Sequence, residues 1–312
     1  MLDWVEALTL GIVQGLTEFL PISSDGHLAT TQKLFGWIRG VSSSAADDLF
    51  FVVIVHIGTL VAILLRYRTE GRMGAQGLLG SEQVPTEYRR NSVVRAGLLA
   101  VLATMPAAVV GLFLKKQIEA TFASPAAAAI GFLITAGVLL LTMGLKSGHK
   151  GLNETTWVDA LAVGVAQAFA PLPGVSRSGT TIAAGLALGF TKTWAVGFSL
   201  LMAIPAIAGA ELVELKDVDY ATLTPDFVAR CVAASVVSGV VGYVALVWLV
   251  RVVRSGKLWY FSVYLVALAL VIFATLWLGG DRAHAVPPAA ENGAVRGAPA
   301  VGLPELAEPS PR

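Results

Sequence analysis

Sulfur, charge and histidine are scarce in this chain: 312 residues hold one cysteine and four histidines, and only 14% of positions are charged. The lone Cys231 stands inside an apolar run, which excludes a disulfide framework and a thiolate metal site and leaves it the role of a small buried filler. A net charge of +1 supplies no basic field, so no nucleic-acid partner is expected. The opening Met1-Leu-Asp-Trp-Val-Glu6 has neither a basic region nor a small-residue cleavage site, and residue 1 is expected to belong to the fold rather than to a cleaved leader. What is abundant is apolar surface. With 55% hydrophobic residues and a mean hydropathy of +0.72, the composition describes a polytopic membrane protein rather than a soluble domain with a large core.

Six apolar runs, about 49–65, 93–114, 126–145, 194–213, 227–250 and 259–278, approach the twenty or so residues that a helix needs to cross a bilayer. Two other apolar stretches are interrupted. Residues 4–19 stop at Pro21 and resume over Leu28–Ile38; Trp157–Phe169 stops at a Pro-rich break and resumes over Thr180–Phe190. Arms this short, joined by a polar break, predict re-entrant helical hairpins, which a membrane tolerates only where the broken backbone is buried in protein or lines a wet cavity.

The two breaks echo each other. At one fixed offset Gln14 falls on Gln167, Ser23 on Ser176, Ser24 on Arg177, Asp25 on Ser178 and Gly26 on Gly179. The chain therefore reads as all-α, with two repeats of about 1–145 and 157–278, each a re-entrant hairpin plus three transmembrane helices. A hairpin returns to its own side and three spans do not, so the second repeat is expected to be inverted relative to the first. Residues 281–312, rich in Pro, Ala and Gly, read as a disordered tail. Loop charge sets the sidedness. Arg66, Arg68, Arg72, Arg89, Arg90, Lys146, Lys150, Lys192, Arg251, Arg254 and Lys257 fall on one side, which the positive-inside tendency makes cytoplasmic. Lys33, Arg39, Lys115, Lys116 and Lys216 fall on the other, beside Glu211, Glu214 and Asp217. The hairpin tips would then meet near the midplane. Trp37, Trp157, Trp194, Trp259 and Trp277, near segment ends, predict an aromatic belt.

Gln14 and Glu18 share one helix face, and a carboxylate at membrane depth demands a partner or a task. Arg177, at the matching depth of the other hairpin, is its complement. An ion pair tying the hairpins together is the plain reading. Ser23, Ser24, His27, Ser176, Ser178 and Thr181 crowd around it, and although Ser23 and Ser176 are read first as helix N-caps, two helix N-termini and a guanidinium aimed at one place form a phosphate receptor. His56, in Val-Ile-Val-His56-Ile-Gly58, is read first as a hydrogen-bonding partner to a neighbouring helix.

The segments QGLTEFLPISSDGH at 14–27 and PGVSRSGTT at 173–181, with the FFVVIVHIGTLVAIL run at 50–64, resemble the paired signatures of the undecaprenyl-diphosphate phosphatase family, the bacitracin-resistance type of integral membrane lipid phosphatase. The likeness covers about 1–280. It implies hydrolysis of a C55 polyprenyl diphosphate to the monophosphate and inorganic phosphate, at the extracytoplasmic side of the bacterial inner membrane, recycling a carrier for wall synthesis. Glu18, Ser24, His27 and Arg177 would be catalytic. Arg177, Ser176, Ser178, Gly179, Thr180 and Thr181 would bind the diphosphate, and Glu18 with Gln14 would hold Mg²⁺ or Ca²⁺. Ser24 is the preferred nucleophile, with His27 as nucleophile or as acid/base for a water as alternatives. Three positions depart from the family: Gln14 replaces a carboxylate, Asp25 stands where Thr is common, and Phe51 lies near a common acidic position. A polyprenyl-phosphate flippase is the rival reading, because broken helices in inverted repeats are also transporter architecture; a purely structural membrane subunit is the third. Bilayer lipids are expected partners, and a homodimer is left open.

Overall fold

The computed structural model describes residues 2–39, 45–122 and 124–283, and among them regular structure is entirely helical apart from one isolated bridge between Lys150 and Phe190. In order come α1 (Trp4–Phe19), α2 (Ser24–Arg39), α3 (Ala45–Arg66), α4 (Arg68–Leu78), α5 (Arg90–Phe113), α6 (Lys115–Phe122), α7 (Pro125–Leu140), α8 (Trp157–Gln167), α9 (Arg177–Ala187), α10 (Lys192–Glu214), α11 (Pro225–Ser255) and α12 (Tyr260–Ala283), with single 3₁₀ turns at Thr86–Tyr88 and Tyr220–Thr222. Five helices, α3, α5, α10, α11 and α12, are long and apolar enough to cross a bilayer. The chain is a polytopic membrane protein. The run at 126–145 forms a shorter helix than its hydropathy suggests: α7 has 16 residues and closes in tight turns at Leu141–Leu145, where Gly144 takes φ 79°.

Both interrupted stretches are broken helices. α1 and α2 flank one break, α8 and α9 the other, and each second arm is started by the serine read as its cap. Ser23 Oγ accepts from Gly26 N–H at 3.4 Å, and Ser176 Oγ from Gly179 N–H at 3.1 Å. The arms pack by an exchange: α1 lies on α11 and α8 lies on α5. In each seam a glycine brings two backbones together. A Cβ on Gly11 would collide with the Ala234 carbonyl and one on Gly164 with the Ala103 carbonyl, and the offset that lays Gln14 on Gln167 also lays Gly11 on Gly164. Small residues permit this approach where lipid supplies no hydrophobic drive between helices.

The core is apolar, but large apolar side chains also face outward and several ionisable or amide ones are buried. Leu98, Leu112 and Val240 are more than half exposed, whereas Gln14, Glu18, His56 and Gln167 are buried. The loops sort into two sets at the ends of α10. At its start, Lys192 donates to the Arg254 carbonyl and its N–H to Ser147 Oγ; beyond its end, Asp217 pairs with Lys115. Arg230 belongs to the second set through the Leu2 carbonyl and Asp226. This reproduces the grouping read from loop charge. Trp37, Trp157 and Trp277 are exposed as a belt requires, but Trp194 turns inward, packing on Phe198 and donating from its indole to Thr155 Oγ1 at 2.8 Å. Met1–Ala274 forms one body; of Thr275–Arg312, only the end of α12 is described, and the tail from residue 284 lies outside the described residues.

Candidate active site

Glu18 ends the last full turn of α1. Leu20 and Pro21 leave the helix, Ser23 takes φ 70°, a left-handed conformation that a non-glycine residue adopts at a cost of about 1 kcal/mol or more, and α2 starts at Ser24. In the second hairpin Gly174 takes φ 84°, Ser176 caps, and α9 starts at Arg177. The aligned pair Ser24 and Arg177 thus occupies the first position of two helices. The tips touch: a Cβ on Gly26 would lie 3.0 Å from Gly174 Cα, and one on Gly179 3.2 Å from Pro21 Cβ.

Glu18 is the hub. Its Oε1 accepts from Arg177 Nη2 at 2.6 Å; its Oε2 accepts from Ser24 Oγ at 2.8 Å and from Gln14 Nε2 at 3.1 Å. On the far side, His56 Nε2 lies 3.6 Å from Glu18 Oε2 and 3.9 Å from Asp25 Oδ1, while its Nδ1 is 2.8 Å from the Val52 carbonyl and 3.7 Å from Glu211 Oε1. Glu18 and Arg177 are almost enclosed, with side chains 6% and 13% exposed, but Asp25 is 38% exposed, so the cluster is open along one edge. Arg177 keeps one nitrogen, Nη1, buried and unpartnered, and Gln14 likewise keeps Oε1. These are a donor and an acceptor on the two side chains that bond the Glu18 carboxylate, and natural structures seldom leave such groups unpartnered without a reason.

Several expected contacts are absent. His27 does not reach Ser24 or Glu18 by a hydrogen bond: its Nδ1 lies 2.7 Å from the Ser23 carbonyl, its Nε2 2.7 Å from the Tyr264 hydroxyl, and its ring stacks on Tyr264 and meets Phe132 edge-on. The hydroxyls read as phosphate ligands also point inward. Thr180 donates to the Ser176 carbonyl at 2.9 Å, Thr181 to the Arg177 carbonyl at 2.8 Å, and Ser178 to the Leu20 carbonyl at 3.3 Å, so these residues build the helix start and the tip-to-tip contact rather than face a ligand. Ser176 is spent on the cap.

Two contributors, Glu211 and Thr135, escaped the sequence reading, and a third, His56, was weighed as a support for the site and ranked second. His56 was legible as an ionisable group at membrane depth, although a helix-to-helix bond was the preferred use. Glu211 was counted among the outer loop acids, yet it is buried in the last turn of α10, with Oε2 unpartnered. Thr135 of α7 donates to the Gly174 carbonyl at 2.8 Å and accepts from Ser176 N–H at 2.9 Å, fixing the turn that delivers Arg177. A lone threonine in an apolar helix was its one signal.

Among the described residues, no three His, Cys, Asp or Glu side chains converge as a ready-made metal cage. The oxygens beside the hub still fit a hard cation. Gln14 Oε1 is an orphaned acceptor next to the Glu18 carboxylate, and Mg²⁺ is commonly held by one or two protein oxygens plus substrate phosphates and water.

Two broken helical hairpins meeting tip to tip over a carboxylate–guanidinium–hydroxyl cluster define a polytopic membrane protein with a polar centre. The chain belongs to the bacitracin resistance protein BacA family, whose model matches residues 7–271. It is similar to the undecaprenyl-diphosphatase of Carboxydothermus hydrogenoformans, 39% identical over 86% of this chain and 95% of that protein. It is likewise similar to the undecaprenyl-diphosphatases of a Nocardioides species, at 38% identity over 88% of this chain and 98% of that protein, and of Methanobrevibacter smithii, at 36% over 87% and 97%.

Proposed function

We propose that this protein is an undecaprenyl-diphosphate phosphatase of the bacterial inner membrane, hydrolysing the lipid diphosphate to the monophosphate at a centre open to the extracytoplasmic side and thereby sustaining wall synthesis and bacitracin resistance. The observation that carries the reading is the Glu18 carboxylate, which holds the Ser24 hydroxyl on one oxygen and the Arg177 guanidinium on the other. A hydroxyl, a carboxylate and a guanidinium joined in this way support a reading as nucleophile, base and phosphate clamp, and the hydroxyl is more than a purely structural ion pair needs. The relatives' names agree with it.

In the reaction, Arg177 binds the terminal phosphate through its unpartnered nitrogen, helped by the N-terminal end of α9. Ser24 Oγ attacks phosphorus as Glu18 takes its proton; the bond from phosphorus to the bridging oxygen breaks, and polyprenyl monophosphate leaves. Glu18 hands that proton to the departing monophosphate and, a carboxylate again, deprotonates the water that attacks the phosphoserine; the proton returns to Ser24 Oγ as inorganic phosphate leaves. Gln14 Oε1 and Glu18 would hold a Mg²⁺ or Ca²⁺, which when bound neutralises phosphate charge. His56 supports Glu18 from behind, and His27 is a positioning residue, tying the first turn of α2 to Tyr264.

The deciding experiment is phosphate release from a C15 or C55 prenyl diphosphate by purified protein in detergent, with and without chelator. Turnover that chelator suppresses and Mg²⁺ or Ca²⁺ restores supports both the phosphatase and the cation; turnover untouched by chelator removes the cation alone. Tight binding with no release moves the assignment to lipid-phosphate transport. The histidines separate in the same assay. His56→Ala is expected to lose about tenfold or more, the scale of one electrostatic partner 3.6 Å from a buried carboxylate. His27→Gln, which keeps a donor for Ser23 and a partner for Tyr264, should stay within about tenfold of wild type. A His27→Gln enzyme as dead as Ser24→Ala would return His27 to the chemistry.

A further inference from the structure

At the base of the second hairpin, where α5 and α8 start side by side, lies a cleft of about 740 Å³. It is separate from the ionic centre, since α8 runs 11 residues, roughly 16 Å, from Trp157 toward the tip that carries Arg177. One end of the cleft is cationic and polar, lined by Arg90, Asn91 and Arg95; its walls are apolar, lined by Val94, Leu98 and Trp157. Arg95 spends Nε and Nη2 on the carbonyls of Leu152, Asn153 and Thr155, which pins the loop entering α8. The exposed Arg90 guanidinium makes no hydrogen bond or ion pair with another described residue, and the first turn of α5 has no side-chain cap. Leu98, inside the spanning helix α5, and Trp157, at the start of α8, are 66% and 65% exposed.

We propose that this cleft binds one anionic glycerophospholipid, with its phosphate on Arg90 and the upper part of its acyl chains along Val94, Leu98 and Trp157. The occupant follows from complementarity. α5 is a membrane span whose charged end must sit at the bilayer edge, where a phospholipid presents one negative phosphate directly above two apolar chains. The cleft presents the same order, a free guanidinium followed within two helical turns by exposed Val94 and Leu98. A soluble phosphate would leave those walls unused, and a zwitterionic headgroup would set its ammonium against the arginines. Bound there, the lipid braces Thr156 and Trp157 at the foot of α8, and so the hairpin that holds Arg177 against Glu18. The leaflet follows from the sidedness proposed above; the binding itself depends neither on that sidedness nor on phosphatase activity.

The test is native mass spectrometry of the full chain released from detergent after titration with phosphatidylglycerol, phosphatidylethanolamine or a polyprenyl monophosphate. Wild type is expected to retain one phosphatidylglycerol in preference to phosphatidylethanolamine. Arg90→Gln should weaken that retention about fivefold, as expected for one arginine at a lipid surface. Asn91→Asp, which adds a negative charge to the same wall, should do so independently, and Arg72→Gln, an exposed arginine of α4, should not. Equal retention by wild type and both cleft variants overturns the proposal, as does equal retention of the two phospholipids. So does an Arg90-dependent preference for polyprenyl phosphate, which would make the cleft a product site. Since lipid retention is read without turnover, a failed phosphatase assay and a failed lipid titration remain distinguishable.

Discussion

Arg177→Ala is expected to abolish phosphate release, by about a thousandfold or more, and to destabilise the protein as well. The catalytic loss follows from removing the clamp on a phosphoryl group whose charge must be neutralised during transfer; arginines in that role are worth about 10³–10⁵ in rate. The stability loss follows from burial. With Glu18 and Arg177 side chains only 6% and 13% exposed, deleting the guanidinium strands a carboxylate at membrane depth, a change that typically costs about 3–5 kcal/mol. The two effects separate in a double variant. Glu18→Gln combined with Arg177→Ala should recover most of the melting temperature in detergent, because no charge is left unpaired, and none of the activity. If Arg177→Ala alone melts like wild type and still turns over, the pair neither binds phosphate nor joins the hairpins.

Ser24→Ala should lose activity on the same scale but keep its stability. Ser24 is half-buried, and its removal leaves Glu18 with Arg177 and Gln14. Rapid quenching with substrate labelled at the terminal phosphate should transfer label to the wild-type protein and none to Ser24→Ala, because the proposed route passes through a phosphoserine. A wild type that turns over without ever carrying label would make water the nucleophile and leave Ser24 a hydrogen-bonding partner of Glu18. Substrate affinity is expected to change little, since the guanidinium and the end of α9 remain. The two variants therefore divide the site into a binding half on the second hairpin and a reacting half on the first.

How much of this was legible depends on how local the cause is. The membrane class, the interrupted helices and their N-caps follow from hydropathy, from Pro21 and Pro173, and from Ser23 and Ser176, all of which act within a few residues of themselves. Alignment of the two breaks also put Ser24 opposite Arg177 and made Glu18 the carboxylate to watch. The sequence by itself therefore determined the kind of protein, the two hairpins and the hub of the site.

Tertiary packing decided which side chains surround that hub. His27 is three residues from Ser24 and was read as catalytic, but the packing of α2 against α12 aims its ring at Tyr264. His56 is more than thirty residues away in sequence, and it reaches Glu18 because α1 and α3 both press against α11 through glycines, Gly11 and Gly15 on one helix and Gly58 on the other. Glu211 lies inside the 194–213 run, and the last turn of α10 turns it inward, 3.7 Å from His56, instead of leaving it among the outer loop acids. Hydroxyls that motif position marked as ligands donate instead to carbonyls one turn back in their own helix, the local bond that Thr makes within a helix. Pattern and spacing fix what lies along one helix; which face meets which is set by close backbone approach between helices far apart in the chain, and that only the assembled structure contains.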